Sequence, residues 1–174
     1  MTAVANSAFT AAQFNAHVRD NLLQTAPAKA TVSGSIFCGT GVNAIAERFP
    51  TIDFIQTLQT TASSSYVDLS TVGPTVTVTT GENALVLLTC NMESNTAGGL
   101  SNMGVTISGA TSEVATESNS LRYESGSSGD ALQATFATIF TTLTPGTNTF
   151  TAKYKTNGAG TSTFSARKVC VLPF

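Results

Sequence analysis

From Tyr66 to its end, the chain repeats one pattern: short runs mixing apolar and hydroxyl residues, each closed by Gly, Asn or Ser. A period of two places successive side chains on opposite faces of an extended backbone, so such runs read as strands with one face covered. Val76 and Val78 alternate with Thr75, Thr77 and Thr79, and Val105 and Ile107 alternate with Thr106 and Ser108. After the turn Thr144-Pro145-Gly146-Thr147, Phe150, Ala152 and Tyr154 share one face while Thr149, Thr151, Lys153 and Lys155 share the other. Ala84 to Cys90 is apolar almost throughout, Leu132 to Leu143 is a further run, and Phe164 to Leu172 closes the chain. About seven or eight strands, with turn signals roughly every 10 residues, predict a mainly β fold, an antiparallel β-sandwich or jelly roll. The absence of any helical period among them excludes a doubly wound α/β sheet.

A chain of 174 residues suits one domain with an attachment segment. Hydrophobic residues make up 41%, yet charged ones only 10%, so Ser and Thr must cover much of the surface. With Lys+Arg 8 against Asp+Glu 10 and a net charge of -2, no basic field exists to hold a phosphate backbone, and nucleic acid is excluded as a partner. The start, MTAVANSAFTAAQFNAH, lacks the basic and apolar regions of a secretory signal, and no run approaches the roughly 18 apolar residues of a membrane span. A soluble chain made in a cytoplasm, with no membrane partner, is the expectation.

Residues 1–27 carry the clearest helix signal. Thr10 followed by Gln13 fits a capping box, and Phe9 outside it can pack on Phe14 one turn in. The helix should start at Ala11, run about 15 residues, and end at Ala26-Pro27. Phe14, Val18 and Leu22 recur at intervals of four and Leu23 widens the stripe. So short a helix is marginal in isolation and must lay that stripe on something. Folding back on its own domain, packing with two further copies, and docking on a larger assembly all satisfy this. Residues 28–65 show no helical period. Gly34, Gly39 and Gly41 punctuate short pieces there, which predicts an extended, subunit-bridging connector; Phe49 to Leu58 alternates poorly but is apolar enough for a strand or a packed connector, and the compact domain is expected at 66–174.

Groups that titrate or attack are few. His17, the one histidine, lies beside the helix stripe, far in sequence from any nucleophile or carboxylate partner. Glu113, Glu117, Glu124 and Asp130 fall in SEVATESNSLRYESGSSGD, which reads as a solvated loop; a calcium site from these acids would lack DxDxDG spacing. Gly39 to Gly41 spells GTG without GxGxxG or a P-loop lysine. No catalytic residue, metal site or cofactor is expected. Cys38, Cys90 and Cys170 form no CxxC; Cys90 and Cys170 read as small core hydrophobes, with a disulfide between them left open. For recognition, Tyr123 beside Arg122 and Glu124 is the one candidate retained, set against a tyrosine that packs its loop onto the sandwich.

FTAAQFNAHVRDNLLQTAP resembles a segment of tailed-bacteriophage structural proteins in which TA-x-x-x-N-x-x-VRDNL precedes a β-rich fibre or surface domain; the matching residues are Thr10, Ala11, Asn15, Val18, Arg19, Asp20, Asn21 and Leu22. KATVSGSIFCGTGVNAIAE is similar to the GTG-x-NA stretch of phage fibre stalks, without the GQVL-type continuation that often follows there. YVDLSTVGPTVTVTTGENALVLLTC and LTPGTNTFTAKYKTNGAGTSTFSARKVCVLPF resemble the C-terminal domains of the same proteins. The resemblance implies a virion structural protein on the particle surface, a homotrimer with an N-terminal anchor on capsid or tail and an outward sandwich. Phe9, Phe14, Val18, Leu22 and Leu23 would then form the anchor or oligomer interface, with Arg19 and Asp20 as its polar contacts and Asn21 beside the seam setting register. Two roles follow: a passive fibre or decoration subunit bound to other virion proteins, or a receptor-binding tip whose loops Glu93 to Asn102 and Ser112 to Asp130 touch a host surface glycan.

Overall fold

A computed structural model of the chain describes residues 8, 10–23, 25 and 29–174. They divide into two compact units, Met1–Glu47 and Arg48–Phe174.

In the first unit the helix begins where the capping signal places it. Gln13 N donates to Thr10 Oγ1 (3.2 Å) and Thr10 N donates to Gln13 Oε1 (3.0 Å), the reciprocal pair that satisfies two otherwise orphaned donors. Beyond α1 (Ala11–Phe14) the backbone widens into a π-helical turn, Asn15–Arg19, before α2 (Asp20–Leu22). One uninterrupted α-helix was the expectation; instead the Asp20 N–H reaches back five residues to Asn15 O. Asn21 Nδ2 donates to His17 O (2.9 Å), a local bond that competes with the α-helical ladder. Phe9 and the Ala26-Pro27 stop lie outside the described residues.

The connector folds into strands in place of a plain extended link. β1 (Ile36–Gly41) and β2 (Ala44–Arg48) form a two-stranded sheet around Val42 and Asn43. Asn43 adopts φ 58, the left-handed conformation that a two-residue hairpin turn requires and Asn tolerates. Glu47 accepts from Thr31 N (3.0 Å), Val32 N (3.2 Å) and Thr31 Oγ1, which ties the preceding loop to the hairpin.

The second unit is an antiparallel sandwich. Its strands are β3 (Thr51–Ile55), β4 (Gln59–Thr61), β5 (Thr75–Thr80), β6 (Ala84–Ser94), β7 (Leu100–Gly109), β8 (Ser120–Glu124), β9 (Ala131–Phe140), β10 (Gly146–Thr156) and β11 (Ser162–Pro173). One sheet runs β5-β10-β7-β8; the other runs β3-β11-β6-β9, with β4 also paired to β11. Every second residue of β6 and β10 is buried, as the period of two requires. Phe140 and Phe150 meet edge to face at 6.3 Å, and Tyr154 and Phe164 at 4.9 Å, so aromatic pairs join one sheet to the other. Val86, Leu88, Met92, Val105, Ile107 and Val169 fill the space between, each contributing roughly 1.5–3 kcal/mol by leaving water.

Three details depart from the sequence reading. Strand pairing carries the sandwich upstream of Tyr66, because β3 and β4 hydrogen-bond along β11 and so belong to its sheet rather than to a connector. β8 lies inside the acidic stretch read as loop, paired along β7 from Leu100 to Gly104. A bulge between Ser165 and Lys168, with Ala166 at φ 48, resets the alternation of β11. Phe164 faces inward before the bulge; Arg167, Val169 and Val171 face inward after it, which turns Cys170 outward.

Candidate functional site

No side chain of the helical segment is buried. Phe14 is 48% exposed, Leu22 61% and Leu23 56%, while Val18 is half-buried. The polar members engage one another: Arg19 Nε and Nη2 both donate to Asp20 Oδ1 (2.9 and 2.8 Å), and Asn21 serves the His17 carbonyl. An exposed pair of this kind contributes about 0–1 kcal/mol, so Arg19 and Asp20 remain available to other partners at little loss.

Arg122, Tyr123 and Glu124 do not form one cluster. They are consecutive on β8, so Tyr123 faces the core and packs against it, while Arg122 and Glu124 face the other way. A different polar group assembles on that outer side: Glu117 pairs with Lys155 and, at 3.5 Å, with Arg122, and Lys155 Nζ lies 5.2 Å from the ring centroid of Tyr66. The two cations hold the Glu117 carboxyl below its ordinary range, Lys155 foremost. Tyr66 lies close over Gly104, where any Cβ would come within 2.9 Å of its ring. The remaining acids are dispersed: Asp130 Oδ2 accepts from Ser127 N (2.8 Å) and Glu113 bridges to Ile107. Among the described residues, no group of three or more His, Cys, Asp or Glu side chains could hold a metal ion.

Of the loops named as host contacts, Glu93 and Ser94 end β6 and Leu100 to Asn102 open β7, leaving 95–99 between them. That loop is fastened to its neighbours. Ser128 Oγ donates to Asn95 O (2.8 Å), Asn157 Nδ2 donates to Gly98 O (3.1 Å), and Thr161 N donates to Asn95 Oδ1 (2.8 Å).

None of the three cysteines is in a disulfide among the described residues. Cys90 faces the core and Cys170 the outer side of the same sheet, so their side chains diverge and no disulfide joins them. Burial pushes the Cys90 thiol up to about 12.

One surface was missed by the sequence reading. On the outer side of the β3-β11-β6-β9 sheet the register aligns Leu172, Leu85 and Ile139 in one row, and Ile52, Cys170, Leu87 and Ala137 in the next. A third row holds Phe54, Lys168, Thr89 and Thr135; Lys168 Nζ lies 5.1 Å from the Phe54 ring centroid, and the two threonine hydroxyls bond each other at 2.8 Å. Ile52 is 60% exposed, Phe54 46% and Ile139 56%. The signal was present in ALVLLTC: a strand buried on one face alone alternates, whereas Leu85 and Leu87 make this one apolar on both.

No family model and no curated protein matches the chain. Among solved structures, Eiger TNF from S. frugiperda is 10% identical, with 73% of this chain and 92% of that chain covered and a TM-score of 0.48. Infectious bursal disease virus, Gx strain, is 12% identical over 78% of this chain, which spans 36% of the viral chain, at a TM-score of 0.41. Latent PorU from Porphyromonas gingivalis is 16% identical over 83% of this chain and 15% of its own, at a TM-score of 0.36.

Proposed function

We propose that the chain is a bacteriophage virion structural protein, a homotrimeric fibre or decoration subunit on the particle surface, attached to capsid or tail through its N-terminal segment. The observation that carries this reading is the contrast between the units. The sandwich buries its own aromatic and aliphatic core, whereas the helical segment leaves Leu22 and Leu23 more than half exposed. Covering such side chains is worth roughly 1.5–3 kcal/mol each, available only when a partner arrives. The TA-x-x-x-N-x-x-VRDNL resemblance falls on the same segment and supports the same role. Gold-antibody labelling of particles by electron microscopy tests it: label on shell or tail is expected, and unlabelled particles from a producing lysate would overturn it.

The fastened loops 95–99, 125–130 and 157–161 favour a second reading, a receptor-binding tip for a host surface glycan, because loops ordered beforehand lose less entropy on binding. Purified protein that binds host cells, with label confined to the tail end, would select this reading over decoration.

A further inference from the structure

We propose that Asn157 is a self-modification site, at which the chain converts its own asparagine to a mixture of iso-aspartate and aspartate and so loosens the loop that Asn157 fastens. Asn157-Gly158 is the one Asn-Gly pair in the sequence, and both residues are exposed between β10 and β11. The loop prepares the side-chain amide for attack by the next backbone nitrogen. Asn157 Oδ1 accepts from Ala159 N (3.1 Å) and from Thr156 Oγ1 (3.3 Å), donors aimed at the oxygen that becomes negative when Cγ turns tetrahedral. The Gly158 N–H donates to no group among the described residues, so its proton is open to solvent. Gly158 has φ +86 and open space where a Cβ would stand, which leaves the nitrogen unhindered.

The step needs water and no other reactant. Gly158 N bonds to Asn157 Cγ and gives its proton to water, the Cγ–Nδ2 bond breaks, and the departing nitrogen takes up a proton and leaves as ammonia. Water then opens the resulting cyclic imide at either carbonyl, giving aspartate or iso-aspartate. The structural consequence is local. Asn157 Nδ2 is a donor to Gly98 O (3.1 Å), and its loss sets a carboxylate oxygen against a carbonyl oxygen with no proton between them. The bonds between Asn95 and Thr161 remain, so the loosening is confined to Gly98 and its neighbours. A negative charge enters the loop end at the same time, and the escape of ammonia makes both changes one-way.

The test follows the full chain by mass spectrometry and peptide mapping during storage in mildly alkaline water labelled with heavy oxygen, alongside the urea-unfolded chain, Asn157→Gln and Thr156→Val. Conversion in the folded chain is expected at Asn157, as a gain of about 3 Da where the amide group is exchanged for a labelled hydroxyl. Its rate should exceed that of the unfolded chain by about fivefold, the kinetic equivalent of one neutral hydrogen bond, and Thr156→Val should remove that excess. Thr156 is fully buried and valine matches its shape, so the variant keeps the fold; circular dichroism melts verify it. Asn157→Gln should stay unconverted at this position. An intact Asn157, a folded rate no greater than the unfolded one, or an undiminished rate in Thr156→Val overturns the proposal. For the loosening, hydrogen exchange of the Gly98 and Gly99 amides, bonded to Ser125 O and Thr96 O, should quicken about tenfold after conversion and equally in Asn157→Asp. Unchanged exchange in both overturns that consequence.

Discussion

The guanidinium of Arg167 lies over the ring of Tyr154, 5.4 Å from its centroid, and the two side chains converge on one acceptor, the Gly73 carbonyl: Tyr154 Oη donates at 2.9 Å and Arg167 Nη1 at 3.4 Å. Both residues are fully buried. The other acceptors of the guanidinium are Thr71 O, Thr57 O and Gln59 Oε1, so carbonyl dipoles and a ring face stabilise this buried charge. Burial raises the Tyr154 hydroxyl far above its ordinary range and keeps it a donor. Chain segments around Thr57, Thr71 and Gly73 are thereby fixed to the bulge of β11.

Arg167→Ala should therefore destabilise the sandwich by about 3 kcal/mol or more, since it empties a fully buried site and removes hydrogen bonds made by a charged group, worth about 1.5–3 kcal/mol each. Tyr154→Phe should lose only about 1 kcal/mol, because the Gly73 carbonyl keeps Arg167. Urea denaturation of the two variants measures this. Equal small losses would mean that the network does not hold the bulge.

The two sheet cysteines should differ in reactivity. A thiol held at about 12 is ionised to about one part in ten thousand at pH 8, so Cys90 should resist alkylation until the sandwich unfolds. Cys170, half-buried on the outer side of the sheet, should react in the folded protein. Peptide mapping after native labelling decides it, and modification of Cys90 ahead of Cys170 would contradict the inward placement.

Hydrogen bonds from Ser35 and Thr31, then from the Thr31 and Val32 backbone, lower the Glu47 carboxyl from 4.5 to about 2. A folded value below the unfolded one means that the contribution is complete above about pH 4.5 and disappears as pH falls toward 2. Carboxyl chemical shifts followed by NMR should show Glu47 titrating well below the ordinary glutamate range, and Glu47→Gln should remove the acid-dependent loosening of residues 31–35. Titration of Glu47 at its ordinary value would remove the clamp.

The sandwich was legible in the sequence because hydroxyl-apolar alternation maps directly onto faces. β10 reads correctly from Phe150 to Tyr154, and the helix start reads correctly from Thr10 and Gln13. What escaped depends on geometry that no local period records. Counting by twos from Phe164 puts Cys170 in the core; the bulge at Ala166 reverses that and brings Arg167 inside instead. Phe49 to Leu58 left strand and packed connector open because Asp53 breaks its apolar run; β3 falls within it, and Asp53 Oδ2 accepts from Thr75 N (2.7 Å). Tyr123 was set beside Arg122 and Glu124 because a loop permits all three to point together, and a strand does not.

Val18 is the position at which the anchor role of the helical segment is tested. It is half-buried at the centre of the helical segment, between Phe14 one turn before and Leu22 one turn after, so an aspartate there puts a charge into the apolar stripe. The sandwich belongs to a separate compact unit, and its melting should be unchanged in Val18→Asp. Burying an unpaired carboxylate against a partner is costly enough that incorporation into particles should fall by about a hundredfold, equivalent to about 2.7 kcal/mol. Incorporation equal to that of the parent chain would refute the anchor role of Phe14, Val18 and Leu22. Loss of assembly along with attachment would place the contact between copies on the helix.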